Sequence, residues 1–163
     1  MRRPQPGGAS AAGAPPPSIE TFRGVVYPWH CDAMGHMNTQ FYASLYDGAT
    51  LHFLALLCPT AALKAAGHGW ADVRQLIEYR REAVGGDLLV VRSTLLRLGN
   101  SSIEYRHDLV NAETGTVHAT SAQVTVLFDL AERKAIRLGD AIRRNAASLR
   151  SGIARRAPAK TVR

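Results

Sequence analysis

Residues 27–46 read YPWHCDAMGHMNTQFYASLY, and the rest of the chain is best read outward from this stretch. It gathers His30, Cys31, Asp32, His36 and Asn38, then runs into the most apolar helical pattern of the sequence. Gly35 stands just ahead of that helix, and Asn38 or Thr39 is placed to cap it. The first amides of a helix have no intrahelical acceptor. With the positive end of the helix dipole they can hold a negative oxygen. A carboxylate at Asp32 beside those amides pairs a base or nucleophile with an oxyanion site, the minimum needed to attack a carbonyl.

The helical pattern spans Asn38 to Leu57, with Phe41, Leu45, Ala49, His52 and Leu56 on one run of three- and four-residue steps. Tyr42, Tyr46, Ala49 and Phe53 form a second such run, so the helix is expected to be buried on several sides. Pro59 ends it, and a short helical turn follows over Thr60–Ala66. Upstream, Thr21–Tyr27 is rich in strand formers and closes at Pro28. Downstream, four strands are expected at Trp70–Val84, Leu88–Leu98, Ser102–Asn111 and Thr116–Phe128. Their links, Gly85-Gly86-Asp87, Gly99-Asn100 and Asn111–Gly115, are of the kind that joins antiparallel neighbours, which predicts a four-stranded meander. Ile103, Tyr105, His107 and Leu109 share one strand face, and Ala122, Val124, Val126 and Phe128 share another. Asp140–Leu149 fits a short terminal helix. The order is that of an α+β domain whose antiparallel sheet wraps around one long central helix.

At 163 residues the chain has room for one domain with a sizeable core. We expect a Pro/Gly/Ala-rich disordered leader over 1–19, a folded domain over 20–142 and a basic, largely disordered tail over 143–163. The formal charge of +7 belongs to the ends: Arg2, Arg3 and seven basic residues of 143–163 account for nine of the 20 Lys and Arg. The body between them carries 11 basic against 13 acidic residues. A nucleic-acid-binding role is therefore disfavoured, and the tail is read as a solvated segment with at most weak contacts to anions, RNA or membrane. No stretch reaches the roughly 18 apolar residues of a membrane span. The leader has no apolar run of a secretory signal, and two cysteines make no disulfide framework, so a cytoplasmic location is expected.

The segment Asp32–Tyr42, DAMGHMNTQFY, fits the pattern D-x-x-G-x-x-N-x-x-x-Y. With Glu78, Gly86-Asp87, the Gly99-Asn100-Ser101-Ser102 turn and Leu127-Phe128-Asp129, it resembles the hotdog-fold acyl-CoA thioesterases, in particular the 4-hydroxybenzoyl-CoA thioesterase-like family. The resemblance covers about residues 20–142. It implies a hotdog fold, hydrolysis of an acyl-CoA to free acid and CoA without a cofactor, and a site formed between subunits of a homodimer or homotetramer. Asp32 would be the nucleophile or the general base on water, and the amides around Asn38 and Thr39 would polarise the carbonyl. Many relatives carry a second Asn where this chain has Thr39, so their substrate preference need not transfer.

Several residues admit a second reading. His36 orients the loop, touches substrate, or is a buried histidine with a backbone partner. Asn38 is a helix cap as well as a site residue. His30, Cys31, Asp32 and His36 could ligate a metal by type, but the paired spacings of zinc sites are absent. Cys31 reads as a wall residue. Asp47, in an otherwise apolar helix, is expected to pair with an Arg or a backbone group or to serve a partner's site. Tyr42 and Tyr46 read as core or interface, and His107 as a satisfied core histidine. For the phosphates of CoA, Arg74, Arg80, Arg81, Arg106 and Lys134 are candidates that spacing alone does not rank. The rival functions are a hydratase or dehydratase of acyl thioesters, which lacks its Asn-Pro step here, and a non-catalytic acyl-CoA-binding protein.

Overall fold

The computed structural model describes residues 17–151. Strand β1 covers Ser18–Val25, beginning before the expected Thr21, and Pro28 opens a single 3-10 turn over Pro28–His30. Proline's fixed φ and missing N–H suit the first position of such a turn. Helices α1 (Thr39–Leu57) and α2 (Thr60–Ala65) are separated by Cys58 and Pro59. Then come β2 (His68–Tyr79), β3 (Leu88–Leu98), β4 (Ser102–Asn111), β5 (Val117–Asp129), a short β6 (Lys134–Ala135) and helix α3 (Asp140–Arg150). No helix among the described residues is long and apolar enough to cross a membrane.

The strands pair antiparallel in one sheet of order β1-β3-β4-β5-β2, with β6 on β5. The sheet curls around α1, as expected for a hotdog fold. Only β3-β4-β5 is a true meander, however. The Gly85-Gly86-Asp87 link does not fold β2 back on β3. Instead it docks on the end of β1, where the Gly86 N–H donates to Val26 O (2.8 Å) and the Val26 N–H to Asp87 O (3.0 Å). That contact starts β3 beside β1 (Val25↔Leu88) and leaves β2 on the far edge, paired with β5. Strand β2 ends at Tyr79 and not at Val84, because Ala83 and Val84 pair with the loop ahead of α1.

α1 bridges two packed clusters. Phe53, Leu54 and Leu57 meet Leu95, Ile103, Tyr105 and Leu127, while Tyr42, Tyr46 and Ala49 meet Val26, Leu89, Val91 and Leu109. Each such buried side chain contributes about 2 kcal/mol of apolar transfer. Gly48 permits one close approach: a Cβ there would lie 2.9 Å from the Phe22 ring of β1. The helix is not buried all round. Leu51 is 64% exposed, and Asp47, His52 and Leu56 share the open side. Asp47, expected to pair with an Arg or a backbone group, is instead exposed and makes no ion pair among the described residues.

On β5 the apolar face is the wrong guide to the interior. Ala122, Val124 and Val126 lie half-buried on the outer face, while Ser121, Gln123 and Thr125 are buried. The inward polar groups are satisfied in one chain of hydrogen bonds. Ser93 Oγ meets His107 Nδ1 (2.6 Å), Thr50 Oγ1 meets His107 Nε2 (3.0 Å) and donates to Gln123 Oε1 (3.0 Å), and the Tyr105 hydroxyl meets Gln123 Oε1 (2.9 Å) and Thr125 Oγ1 (2.8 Å).

Helix α3 alters the expected boundary at 142. Its buried Ile142, Ala146 and Leu149 join the Phe53–Leu57 cluster, and Arg143 donates to Leu138 O, Gly99 O and Asn100 O. Residues 143–150 therefore pack as part of the domain. Of the leader expected over 1–19, Ser18 and Ile19 already belong to β1, while residues 1–16 and the tail from 152 lie outside the described residues.

Candidate active site

Asp32 is held by a miniature hairpin. Cys31 and Met37 form a bridge, the Asp32 N–H donates to His36 O (2.9 Å), and the Gly35 N–H donates back to Asp32 O (3.0 Å). Gly35 has φ +84°, the left-handed position that closes such a three-residue turn and that a side chain resists. Within the turn, the Met34 N–H donates to Asp32 Oδ1 (2.9 Å). Oδ2 has no protein donor among the described residues. The returning arm pairs with the chain after β2: Met37 N–H donates to Ala83 O (2.8 Å) and His36 bridges Val84. Asp87 braces that segment, accepting from Val84 N–H (2.9 Å) and from Asn111 Nδ2 (3.2 Å).

The hairpin delivers the chain to the start of α1. Asn38 is the helix cap, its Oδ1 accepting from the Gln40 N–H (3.1 Å). Its own N–H donates to His30 O (2.9 Å), and Phe41 N–H donates to Asn38 O (3.0 Å). Of the two amides expected to polarise a carbonyl, the Asn38 amide is thus committed. Thr39 N–H alone keeps no protein acceptor among the described residues. It stands at the positive end of a helix of 19 residues.

Asp32, His36 and Thr39 line one open cleft of about 290 Å³. Asn38 supports it from behind as the cap. Further lining comes from where the chain leaves β2: Arg80 and Arg81, already candidates for the phosphates of CoA, with Tyr79 and Glu82, which the sequence did not single out. Tyr42 also reaches the cleft; it is 4% exposed and packs edge-on against Tyr79 at 5.1 Å between ring centres. Burial holds the Tyr42 phenol above its usual range. The His36 ring makes no hydrogen bond to the Asp32 carboxylate: its Nε2 lies 3.1 Å from Glu82 Oε2.

The other reactive residues turn elsewhere. His30 accepts the Tyr27 N–H at Nδ1 (3.2 Å) and packs its ring on Phe41 at 4.4 Å. Cys31 is a free thiol in the wall of the Tyr42–Tyr46 cluster. Among the described residues no three of His, Cys, Asp and Glu gather in a metal-ligating group. His107 is fully buried and its pKa is pushed down to about 4 by loss of solvent.

The family model described as thioesterase-like superfamily matches residues 26–146, from the end of β1 into α3. Among solved structures, the chain is similar to the probable thioesterase YbaW from Escherichia coli, with 25% identity over 79% of this chain and 97% of that one, at a TM-score of 0.68. A Staphylococcus aureus protein solved in complex with CoA superposes at a TM-score of 0.77, with 13% identity over 86% and 89% of the two chains. A 1,4-dihydroxy-2-naphthoyl-CoA thioesterase from Synechocystis gives 0.70, with 18% identity over 82% and 98%. The latter two likenesses are of fold. No curated protein sequence matches the chain.

Proposed function

Because the chain belongs to the thioesterase-like superfamily, we propose that it is a thioester hydrolase, and more specifically an acyl-CoA thioesterase whose reacting carboxylate is Asp32. The observation that carries this reading is the pairing, in one cleft, of a half-buried carboxylate with one unengaged oxygen and a helix N-terminal amide with no acceptor. The CoA-bound and CoA-thioesterase neighbours support CoA as the carrier.

Two routes fit the cleft. As nucleophile, Asp32 Oδ2 adds to the thioester carbonyl, the oxyanion faces the Thr39 N–H, and the C–S bond breaks to release CoA thiolate. Water then cleaves the mixed anhydride and restores the carboxylate. As general base, Asp32 takes a proton from water while the water oxygen adds to the same carbonyl. Both routes end in free acid and CoA. His36 braces the far wall through Glu82, and Asn38 sets the helix start, so their roles are positional.

The reading extends to a homodimer. β2 is a long edge strand hydrogen-bonded only to β5, and Val73, Leu76 and Tyr79 are each more than half exposed along it. An uncovered edge of that length and polarity invites pairing with a second copy. Such a copy would also wall the open side of the cleft beside Tyr79.

The test is free-thiol release from aromatic, short, long and polar acyl-CoAs, with wild type and Asp32→Asn. We expect one class to turn over and the substitution to lower kcat by about 10²- to 10⁴-fold. Equal rates in both proteins would remove Asp32 from the chemistry. Saturable acyl-CoA binding with no thiol released by either would favour a binding protein.

A further inference from the structure

His118 is 4% exposed, yet neither of its ring nitrogens has a hydrogen-bond partner among the described residues. Polar atoms are seldom shut away from water without compensation. A bulge turns this ring inward: β4 pairs Leu109 with Ala119 and Val110 with Val117, so His118 is the extra residue of β5, and it and Ala119 are buried in succession. Such bulges re-aim a side chain and are frequent beside active sites. Here the ring is aimed at Asp87. Its Nε2 lies 3.7 Å from Asp87 Oδ2, too far for a hydrogen bond but close enough for a carboxylate to orient an N–H dipole. Asp87 is fixed in turn. Its Oδ2 accepts from the Val84 N–H and its Oδ1 from Asn111 Nδ2. The Asn111 amide cannot turn, because its Oδ1 accepts from the Glu113 and Thr114 N–H groups (3.0 Å each).

The segment 80–87, which links β2 to β3, is tied at both ends to this pair. At its start the N–H groups of Arg80 and Arg81 both donate to His118 O, at 2.8 and 3.0 Å, since the bulge leaves that carbonyl facing two donors. At its end the Asp87 N–H donates to Val84 O (3.1 Å) while the Asp87 carboxylate takes the Val84 N–H. Between the two ties, Ala83 O accepts the Met37 N–H and Val84 bridges His36, the contacts that hold the returning arm of the Asp32 hairpin. Arg80, Arg81 and Glu82 of the same segment line the cleft, whereas His118 and Asp87 do not. The two residues therefore reach the cleft only through the backbone they hold.

Resting on the thioesterase reading, we propose that His118 and Asp87 are positioning residues for the reaction at Asp32: the buried pair keeps Ala83 and Val84 in register with the hairpin and so fixes Asp32 against the Thr39 N–H. Reacting groups held in the right geometry supply much of a rate, and a displacement of about 1 Å caused far from the chemistry can cost on the order of 10²-fold. The two ties divide the labour. The bonds from Arg80 and Arg81 go to a backbone carbonyl and survive any side-chain substitution at His118. The hold on Val84 runs through the Asp87 carboxylate, which the His118 ring faces. Loss of the ring should therefore disturb the hairpin more than the part of the cleft formed by Arg80 and Arg81, and so lower kcat more than it raises KM.

The experiment uses the full chain with His118→Leu, His118→Gln, Asp87→Ala and the double variant His118→Leu/Asp87→Ala. Two quantities are read well below each melting temperature: kcat and KM on an acyl-CoA that wild type turns over, and hydrogen exchange at the Met37 amide by NMR. We expect His118→Leu to lower kcat by about 10- to 100-fold with KM within about twofold. His118→Gln, whose Nε2 can donate toward Asp87, should recover most of that loss. The double variant should lose little more than the worse single one, as for residues that act as a unit. The Met37 amide should exchange at least about tenfold faster in His118→Leu and near the wild-type rate in His118→Gln. Should His118→Leu not fold, His118→Asn, polar but too short to reach Asp87, takes its place with the same expected split. A lower melting temperature with unchanged kcat would make the pair merely structural and overturn the proposal, as would additive losses or an effect on KM alone. If wild type hydrolyses no acyl-CoA, the exchange still decides: faster exchange restored by Gln keeps the brace while the hydrolase reading fails, and unchanged exchange removes the brace.

Discussion

His107 shows how a single residue ties the core to pH. Both ring nitrogens are satisfied, by Ser93 and Thr50, and burial lowers its pKa from 6.5 to about 4. Above pH 6.5 the imidazole is neutral in both folded and unfolded chains, so it adds no pH dependence. Between pH 6.5 and about 4 the unfolded chain takes up a proton that the folded one refuses. Stability must then fall as pH drops, by on the order of 3 kcal/mol across that window. Urea unfolding between pH 7 and 4.5 should show this slope in wild type and a shallower one in His107→Gln; parallel slopes would count against it. The position of His107 on an apolar strand face was readable as a core histidine. The fate of the Asn38 amide was not. It depends on where His30 O lies after a 3-10 turn, a distance that no residue spacing encodes.

At the scale of elements, α3 is the instructive case. Its charged sequence, with Arg143, Arg144 and Arg150, reads as the start of a solvated tail. Yet Ile142, Ala146 and Leu149 fall on one stripe and close the core over Phe53 and Leu57. Ile142→Asp should therefore cost about 3 kcal/mol or more, through lost apolar burial and an unpaired charge. That corresponds to a melting temperature lower by roughly 10 °C. Arg144→Ala, on the exposed side, should stay within about 0.5 kcal/mol of wild type. Equal melting temperatures for the two variants would mean that α3 is dispensable. The inverted pattern on β5 has the same lesson. Period-two alternation says which residues share a face, but the interior took the polar face because Thr50, Tyr105 and His107 were there to pair with it.

For the whole molecule, the free edge of β2 and the open Asp32 cleft lie side by side, since Tyr79 belongs to both. If a second copy covers that edge, Leu76→Lys should place like charges near the two-fold axis and shift the protein toward monomer. Light scattering on the eluting protein reads the mass directly, and kcat/KM should fall with dissociation if the partner completes the cleft. A wild type that is monomeric at micromolar concentration would remove the dimer from the argument. A second cleft, lined by Arg80, Arg81, Arg92 and Arg106, belongs to this scale too, for it draws residues from β3, β4 and the segment after β2.

The sequence by itself determined the local features. Gly35 and Asn38 set the turn and the cap, Pro28 and Pro59 set the breaks, and the D-x-x-G-x-x-N-x-x-x-Y order carried the fold and the expected carboxylate. The turn, the cap and the breaks are matters of backbone sterics and of hydrogen bonding over a few residues, whereas the motif spoke through its resemblance to a known family. Only the tertiary structure decided that β2 crosses to β5, that Tyr79–Glu82 wall the cleft, that Thr39 alone keeps a free amide, and that Arg92 stands with Arg80, Arg81 and Arg106. Those outcomes depend on which distant strands meet. That is settled by burying α1 in the curl of the sheet, and no short window of sequence contains it.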